Sequence, residues 1–361
     1  MNQTDIAQLR LQNQQLAATK FTTKKELVSW MGAMQAQDYA MAKWAIGVRL
    51  PGSTIDSVEQ AIRSGEIIRT HLLRPTWHWV AADDLRWMLA LTAPRILSAM
   101  KSRHRELELS PPVIAKSIGV FEKALTGGQH LTREALMNEL EKSGIATGGN
   151  RASHLFLLAE LEGIICSGAS EGNNYTYALL SERVPESEKL PREEAVARLV
   201  QRYFTSHGPA TPEDFAWWSG LSATDARKGV EMIRPALISE TINGKTYWMT
   251  DHPGLSPLSS NRVYLLPAFD EFIISYKDRS SALNHHNHVR AVSSNGLFRP
   301  VILVNGQVAG LWKRTLKKEI LNIEPDFFEN FPASALEALN TAMRKTGHFW
   351  KKKTEMVLPD R

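Results

Sequence analysis

The sequence has little cysteine: Cys166 is the one thiol among 361 residues. A single cysteine can neither close an internal disulfide nor build a cysteine-based zinc site, and within Gly163-Ile-Ile-Cys166 it reads as a plain core or wing residue. A reducing, cytoplasmic setting is expected. No apolar run approaches the ~18 residues of a membrane-spanning helix, so no membrane partner is expected. The first residues also lack the basic stretch and apolar core of a secretory signal. Phosphate-loop, dinucleotide-binding, nucleophile-elbow and His-Glu-x-x-His signatures are missing, which removes the commonest nucleotide-dependent, serine-hydrolase and zinc-protease readings. An excess of charge of one sign is absent as well: 43 basic against 38 acidic residues leaves +5. That balance permits a polyanionic partner without requiring one.

What is present is ordinary globular composition, 43% hydrophobic and 22% charged, over a length that suggests two or three domains at about 150 residues each. A loose repeat of helix, turn, helix and β-hairpin organises it. In the clearest copy, residues 131–140 carry apolar positions at helical spacing behind a Thr132 cap. Asn150 then caps a second helix over 151–162, Gly163 stops it, and 164–167 and 175–179 read as strands joined by a polar tip over 168–174. The next copy places helices at 192–206, from Pro212 behind a Thr211 cap, and at 225–232 behind Ser222 or Thr224. A hairpin folded on Asn243-Gly244 closes it. The first copy is less clean: a helix over 24–34 capped by Thr23, an amphipathic helix over 54–63, and strands at 67–70 and 76–80.

The fold class expected is therefore α+β, three tandem winged-helix units followed by a β-barrel-like C-terminal domain. The units are assigned to residues 1–100, 101–184 and 185–252, and the last domain to 253–361. Residues 181–194 read as a solvated linker. In the last domain, strands are expected near 262–267, at 300–304 and 307–312 around Asn305-Gly306, and at 354–358, with a helix over 336–344.

Three stretches carry candidate chemistry. The first is Gln35-Ala36-Gln37-Asp38, placed where an apolar helix ends. Residues i and i+2 lie ~200° apart on a helix, so Gln35 and Gln37 meet at one site only if the helix breaks between them. Otherwise Gln37 or Asp38 satisfies backbone groups at a helix end. The second is the hairpin Arg69 to His78, whose His71, Arg74, Thr76 and Trp77 suit phosphate contact and base stacking, or else form a buried, Trp-rich hairpin. The third is the helix start at Asn150, Arg151 and His154, suited to groove entry or to a protein partner. His285-His-Asn-His288 reads as a solvated loop or an adventitious metal tract. The basic runs Lys313-Arg314, Lys317-Lys318 and Lys351-Lys-Lys353 read as solvated faces or supporting contacts to a DNA backbone.

Four of these segments together carry a resemblance: Gln35-Ala-Gln-Asp38; Leu73-Arg-Pro-Thr-Trp-His78; Leu265-Leu-Pro-Ala-Phe-Asp-Glu271 with Asp278-Arg279; and Arg299 through Trp312. In this order, and over nearly the whole chain, they resemble the AlkZ/YcaQ-type winged-helix DNA glycosylases. The resemblance implies a C-shaped clamp on double-stranded DNA and a cofactor-free, metal-free hydrolysis of the N-glycosidic bond of N7-alkylated purines, crosslinked or bulky adducts included. It also implies a water held by Gln35 and Gln37 as catalytic residues, with Asp38 behind them or capping a helix. His71, Arg74, Thr76, Trp77, Asn150, Arg151 and His154 become DNA-contact candidates. A monomer is expected, since a clamp has no need of two-fold symmetry. The alternative is a non-enzymatic winged-helix DNA-binding protein or transcription regulator.

Overall fold

A computed structural model describes residues 1–170, 174–187, 189–250 and 261–357. The tip of the expected hairpin at 171–173, the expected domain boundary at 252–253 and the end of the last expected strand at Leu358 lie outside the described residues. The fold is α+β.

The chain opens with α1 (Gln3–Asn13) and α2 (Lys24–Met31), then β1 (Met34–Gln35), α3 (Tyr39–Arg49), α4 (Ile55–Arg63), β2 (Ile67–Leu72) and β3 (Thr76–Ala81). A capping box at Thr23 starts α2 as the sequence suggests, and Thr54, expected as the first residue of its helix, caps α4 through a second such box. The expected helix over 24–34 stops three residues early, because Gly32 takes φ +77 and turns the chain into an extended segment. That segment becomes β1, and the sheet order is β1-β3-β2.

Next come the long α5 (Ala82–Glu106), α6 (Pro111–Leu125), β4 (Leu131–Thr132), α7 (Arg133–Lys142), α8 (Arg151–Leu161), β5 (Ile165–Ser167), β6 (Thr176–Leu179) and α9 (Leu180–Arg183). Thr132 caps α7 by accepting from the Ala135 N–H. Asn150 corrects the expectation: it precedes α8 with φ +70 and its side chain makes no capping bond, so it serves as a left-handed turn residue. A third group holds α10 (Arg192–Ser206), α11 (Pro212–Ser219), α12 (Ala223–Ile233), β7 (Leu237–Ile242) and β8 (Lys245–Thr250). Thr211 and Ser222 are the caps, and Asn243 and Gly244 both take positive φ in the hairpin turn.

The remainder contains β9 (Val263–Leu266), α13 (Glu271–Ile274), α14 (His288–Ala291), β10 (Val301–Val304), β11 (Gln307–Leu316), β12 (Ile320–Phe327), α15 (Leu336–Trp350) and β13 (Lys353–Met356). The strands form one sheet in the order β13-β12-β11-β10-β9, with β13 parallel to β12 and the other pairs antiparallel. Among the described residues β9 and β13 do not pair, so the sheet is an open half of the expected barrel. One apolar cluster runs from Ala33 and Leu73 through Met88 and Trp218 to Tyr276, and a second joins Trp44 and Trp79 to Trp312 and Phe349. Packing thus ties the first residues to the last. Cys166 is fully buried, and burial pushes its thiol up to about 12.

Candidate active site

The Gln35-Ala36-Gln37 run is not helical: Gln35 ends strand β1 and Gln37 lies in the bend that follows, so the helical spacing of ~200° between them does not apply. Gln35 sits opposite His78 in the β1–β3 ladder, and the next N–H, of Ala36, donates to the Trp77 carbonyl at 2.7 Å. The Ala36 carbonyl accepts from Arg69 Nε at 3.0 Å. Gln35 is buried, whereas Gln37 reaches the surface. Asp38 caps the following helix, accepting from the Met41 N–H at 3.0 Å, so the capping alternative describes it, at a helix start rather than a helix end.

Two charged groups hold Gln35. Arg74 Nη2 donates to its Oε1 at 2.8 Å, which fixes the carboxamide, and the Gln35 N–H donates to Glu271 Oε1 at 2.5 Å. Glu271 is 1% exposed and also accepts from Trp218 Nε1 at 3.1 Å and from the Ser275 hydroxyl, with His207 Nε2 3.6 Å away. Burial alone would raise its carboxyl, but His207, Ser275 and the Gln35 N–H outweigh burial and hold it down to about 2. His78, fully buried beside Gln35, is pushed down to about 3 by burial and by the Arg74 charge; its Nδ1 meets the Thr76 carbonyl. The imidazole is therefore neutral at physiological pH.

The turn that delivers Arg74 is tightly made. Leu73 takes φ +60, and Gly220, at the end of α11, packs so closely that a Cβ there would lie 2.4 Å from the Leu73 carbonyl oxygen. Beyond this turn the expected DNA-contact set divides. His71 is 7% exposed and bonded to Glu160 through Nδ1, so its place is an internal strut, not a surface contact. The Trp77 ring contacts the His71 ring, at 4.4 Å, and the Arg69 guanidinium, at 4.4 Å. The buried-hairpin alternative describes His71, whereas Trp77 is half-buried and its indole N–H has no partner among the described residues. Thr76 is half-buried, and its hydroxyl has no partner among the described residues. At the start of α8 Asn150 is exposed, while Arg151 donates to the Ala146 and Leu107 carbonyls and caps the preceding segment. His154 packs edge-on against His104 at 5.3 Å. The histidines at 285 and 286 are exposed on a 3-10 turn.

Four residues around Gln35 were not singled out as site residues from the sequence: Glu271, Trp217, Trp218 and Arg279. Trp217, 39% exposed, anchors its indole N–H on the Ile274 carbonyl at 2.8 Å, with the guanidinium groups of Arg74 and Arg279 5.7 and 5.3 Å from its ring. Glu271 and Arg279 belong to segments that carry the family resemblance, which was the available signal for them. Trp217 had none, since a tryptophan inside an amphipathic helix ordinarily reads as core.

The family described as DNA glycosylase AlkZ-like matches residues 28–349 of the chain. Over 347 residues the chain is 24% identical to a protein of Streptomyces sahachiroi named interstrand DNA cross-link repair glycosylase, covering 91% of this chain and 92% of that one. It is also similar to the solved structure of Streptomyces sahachiroi DNA glycosylase AlkZ, with a TM-score of 0.79 at 20% identity over 99% of this chain and all of the other. That likeness establishes the fold.

Proposed function

The chain belongs to the AlkZ-like DNA glycosylase family, and from that premise we propose that it hydrolyses the N-glycosidic bond of N7-alkylated purines in double-stranded DNA. Crosslinked and bulky adducts fall within the proposal, in line with the name of the Streptomyces relative. Family membership favours an enzyme over the non-enzymatic regulator. We read the three helix-and-sheet groups as winged helices that, with the C-terminal sheet, form a clamp on the duplex as a monomer.

An N7-alkylated purine carries a positive charge, so the bond from its ring nitrogen to C1′ breaks with both electrons going to the base, which leaves neutral. The sugar becomes oxocarbenium-like, water oxygen bonds to C1′, and the surplus proton passes to solvent. Strong acid catalysis is unnecessary, and a carboxamide is a poor base, so the residues contribute position rather than proton transfer. The observation that carries the reading is the double restraint on Gln35: Arg74 on its side-chain carbonyl and Glu271 on its backbone N–H. One lone pair of Oε1 remains for the water. Gln37, exposed in the bend that follows β1, supplies the second contact.

The test is release of free base from a duplex carrying 7-methylguanine. Wild type is expected to release it, and Gln37→Ala to slow single-turnover release by at least ~100-fold, the scale of a misplaced nucleophile. Equal rates would remove the water-holding role, and absence of release by wild type would remove this lesion as substrate.

A further inference from the structure

Arg74 and Arg279 each bring a guanidinium group within 6 Å of one indole, that of Trp217, and among the described residues neither has a carboxylate within ion-pair distance. The two acids whose charges reach Arg279 are engaged elsewhere. Asp278 pairs with Lys245, and Asp214 accepts the backbone N–H groups of Lys277 and Asp278 at 2.8 and 3.1 Å. Arg279 donates Nε to the Ile273 carbonyl at 3.0 Å but leaves Nη2 buried without a partner, and Arg74 leaves Nε in the same condition. Burial and the neighbouring Arg74 charge pull Arg279 down to about 10, so the two cations feel each other. Like charges held together, partly out of water and with unused donors, are costly unless an anion completes the site. A phosphodiester is the anion whose oxygens match guanidinium forks, and an exposed indole is the surface on which a nucleotide stacks.

We infer that Arg74 and Arg279 grip one backbone phosphate of the damaged strand while Trp217 packs on the adjoining nucleotide, which sets that strand against Gln35. The inference rests on the DNA glycosylase reading and adds to it a strand-gripping site. Gln35 is directly coupled to it, because Arg74 holds the Gln35 carbonyl with the same guanidinium whose Nε is left over.

The test uses the full chain and a duplex bearing a tetrahydrofuran abasic-site analogue, with affinity read by anisotropy across salt concentrations and tryptophan emission followed in parallel. Arg279→Ala is expected to weaken binding about tenfold and to lower the salt slope by about 0.9, the loss of one phosphate contact. Arg279→Lys should keep the slope while binding more weakly than wild type. Trp217→Ala should weaken binding about tenfold. Trp217→Phe should restore affinity but abolish the binding-induced change in emission. If Arg279→Ala fails to fold, the Arg279→Lys and Trp217→Phe comparisons carry the test unaided. Wild type that binds this duplex and releases 7-methylguanine, beside variants with unchanged affinity, slope and emission response, would overturn this inference alone. Wild type that neither binds nor releases base would overturn the functional reading with it.

Discussion

Burying a carboxylate is costly unless several donors meet it, and Glu271 is met by the Gln35 N–H, the Trp218 indole N–H and the Ser275 hydroxyl. The charge is therefore part of how Gln35 is held. Its carboxyl, ordinarily at 4.5, lies at about 2 in the folded chain. Because the folded value is the lower one, Glu271 contributes stability that is complete above pH 4.5 and is lost as pH falls toward 2, about 3 kcal/mol in all. Glu271→Gln should remove most of that contribution at pH 7 and flatten the acid limb of the stability curve. Urea unfolding of both proteins at pH 7, 4 and 3 measures this, and parallel pH profiles would refute it. The same substitution turns an amide donor toward either the Gln35 N–H or the Trp218 indole N–H, so slower base release should accompany it.

At the scale of elements, the close approach of the α11–α12 turn to the β2–β3 turn decides where Arg74 stands. Gly220 has φ +69, and an added Cβ would also come within 3.3 Å of Arg74 Cγ. Gly244, at φ +75 in the β7–β8 turn, has open space around it. Gly220→Ala is therefore expected to cost about 2 kcal/mol and to slow single-turnover base release at least tenfold, whereas Gly244→Ala costs about 1 kcal/mol of backbone strain and leaves release unchanged. Equal effects of the two in thermal unfolding and base release would remove the steric argument. Elements of this kind were legible in the sequence where local chemistry marks them: the Thr23, Thr132 and Thr211 caps and the two Asn-Gly turns lie where expected. Others were hidden for physical reasons. Strand β1 is two residues long, too short for any periodicity. Helix α3 buries almost every residue, Lys43 and Arg49 included, so it shows no polar face. Helix α1 buries Arg10 and Asn13 among its apolar residues, which erases its stripe. Arg74 stands a few residues from β1 in the sheet, but Glu271 reaches Gln35 across 236 residues, a separation that no spacing rule spans.

Those hidden polar residues hold the whole molecule together. Arg49, fully buried on α3, grips Asp270 with two bonds of 2.7 and 2.8 Å and also donates to the Gln14 backbone and side-chain carbonyls after α1. Arg10 donates to the Pro209 carbonyl and to Ser281, and lies 3.5 Å from the Tyr276 ring. Helix α1, which precedes the segment matched by the family, thus joins the third helical group to the C-terminal part through two buried cations. Removing one partner of such a pair strands a charge where water cannot reach it. Asp270→Asn should therefore cost 3–5 kcal/mol, roughly the penalty for an uncompensated buried ion. The surface pair Lys351–Asp56, with both side chains more than half exposed, is the control: Asp56→Asn should cost under ~1 kcal/mol. Since Asp270 adjoins Glu271 and caps the same short helix through the Phe272 N–H, Asp270→Asn should also lower base release from the protein that remains folded. Urea titrations of the three proteins decide the matter, and an Asp270→Asn midpoint equal to that of wild type would mean that the three regions are joined by apolar packing alone.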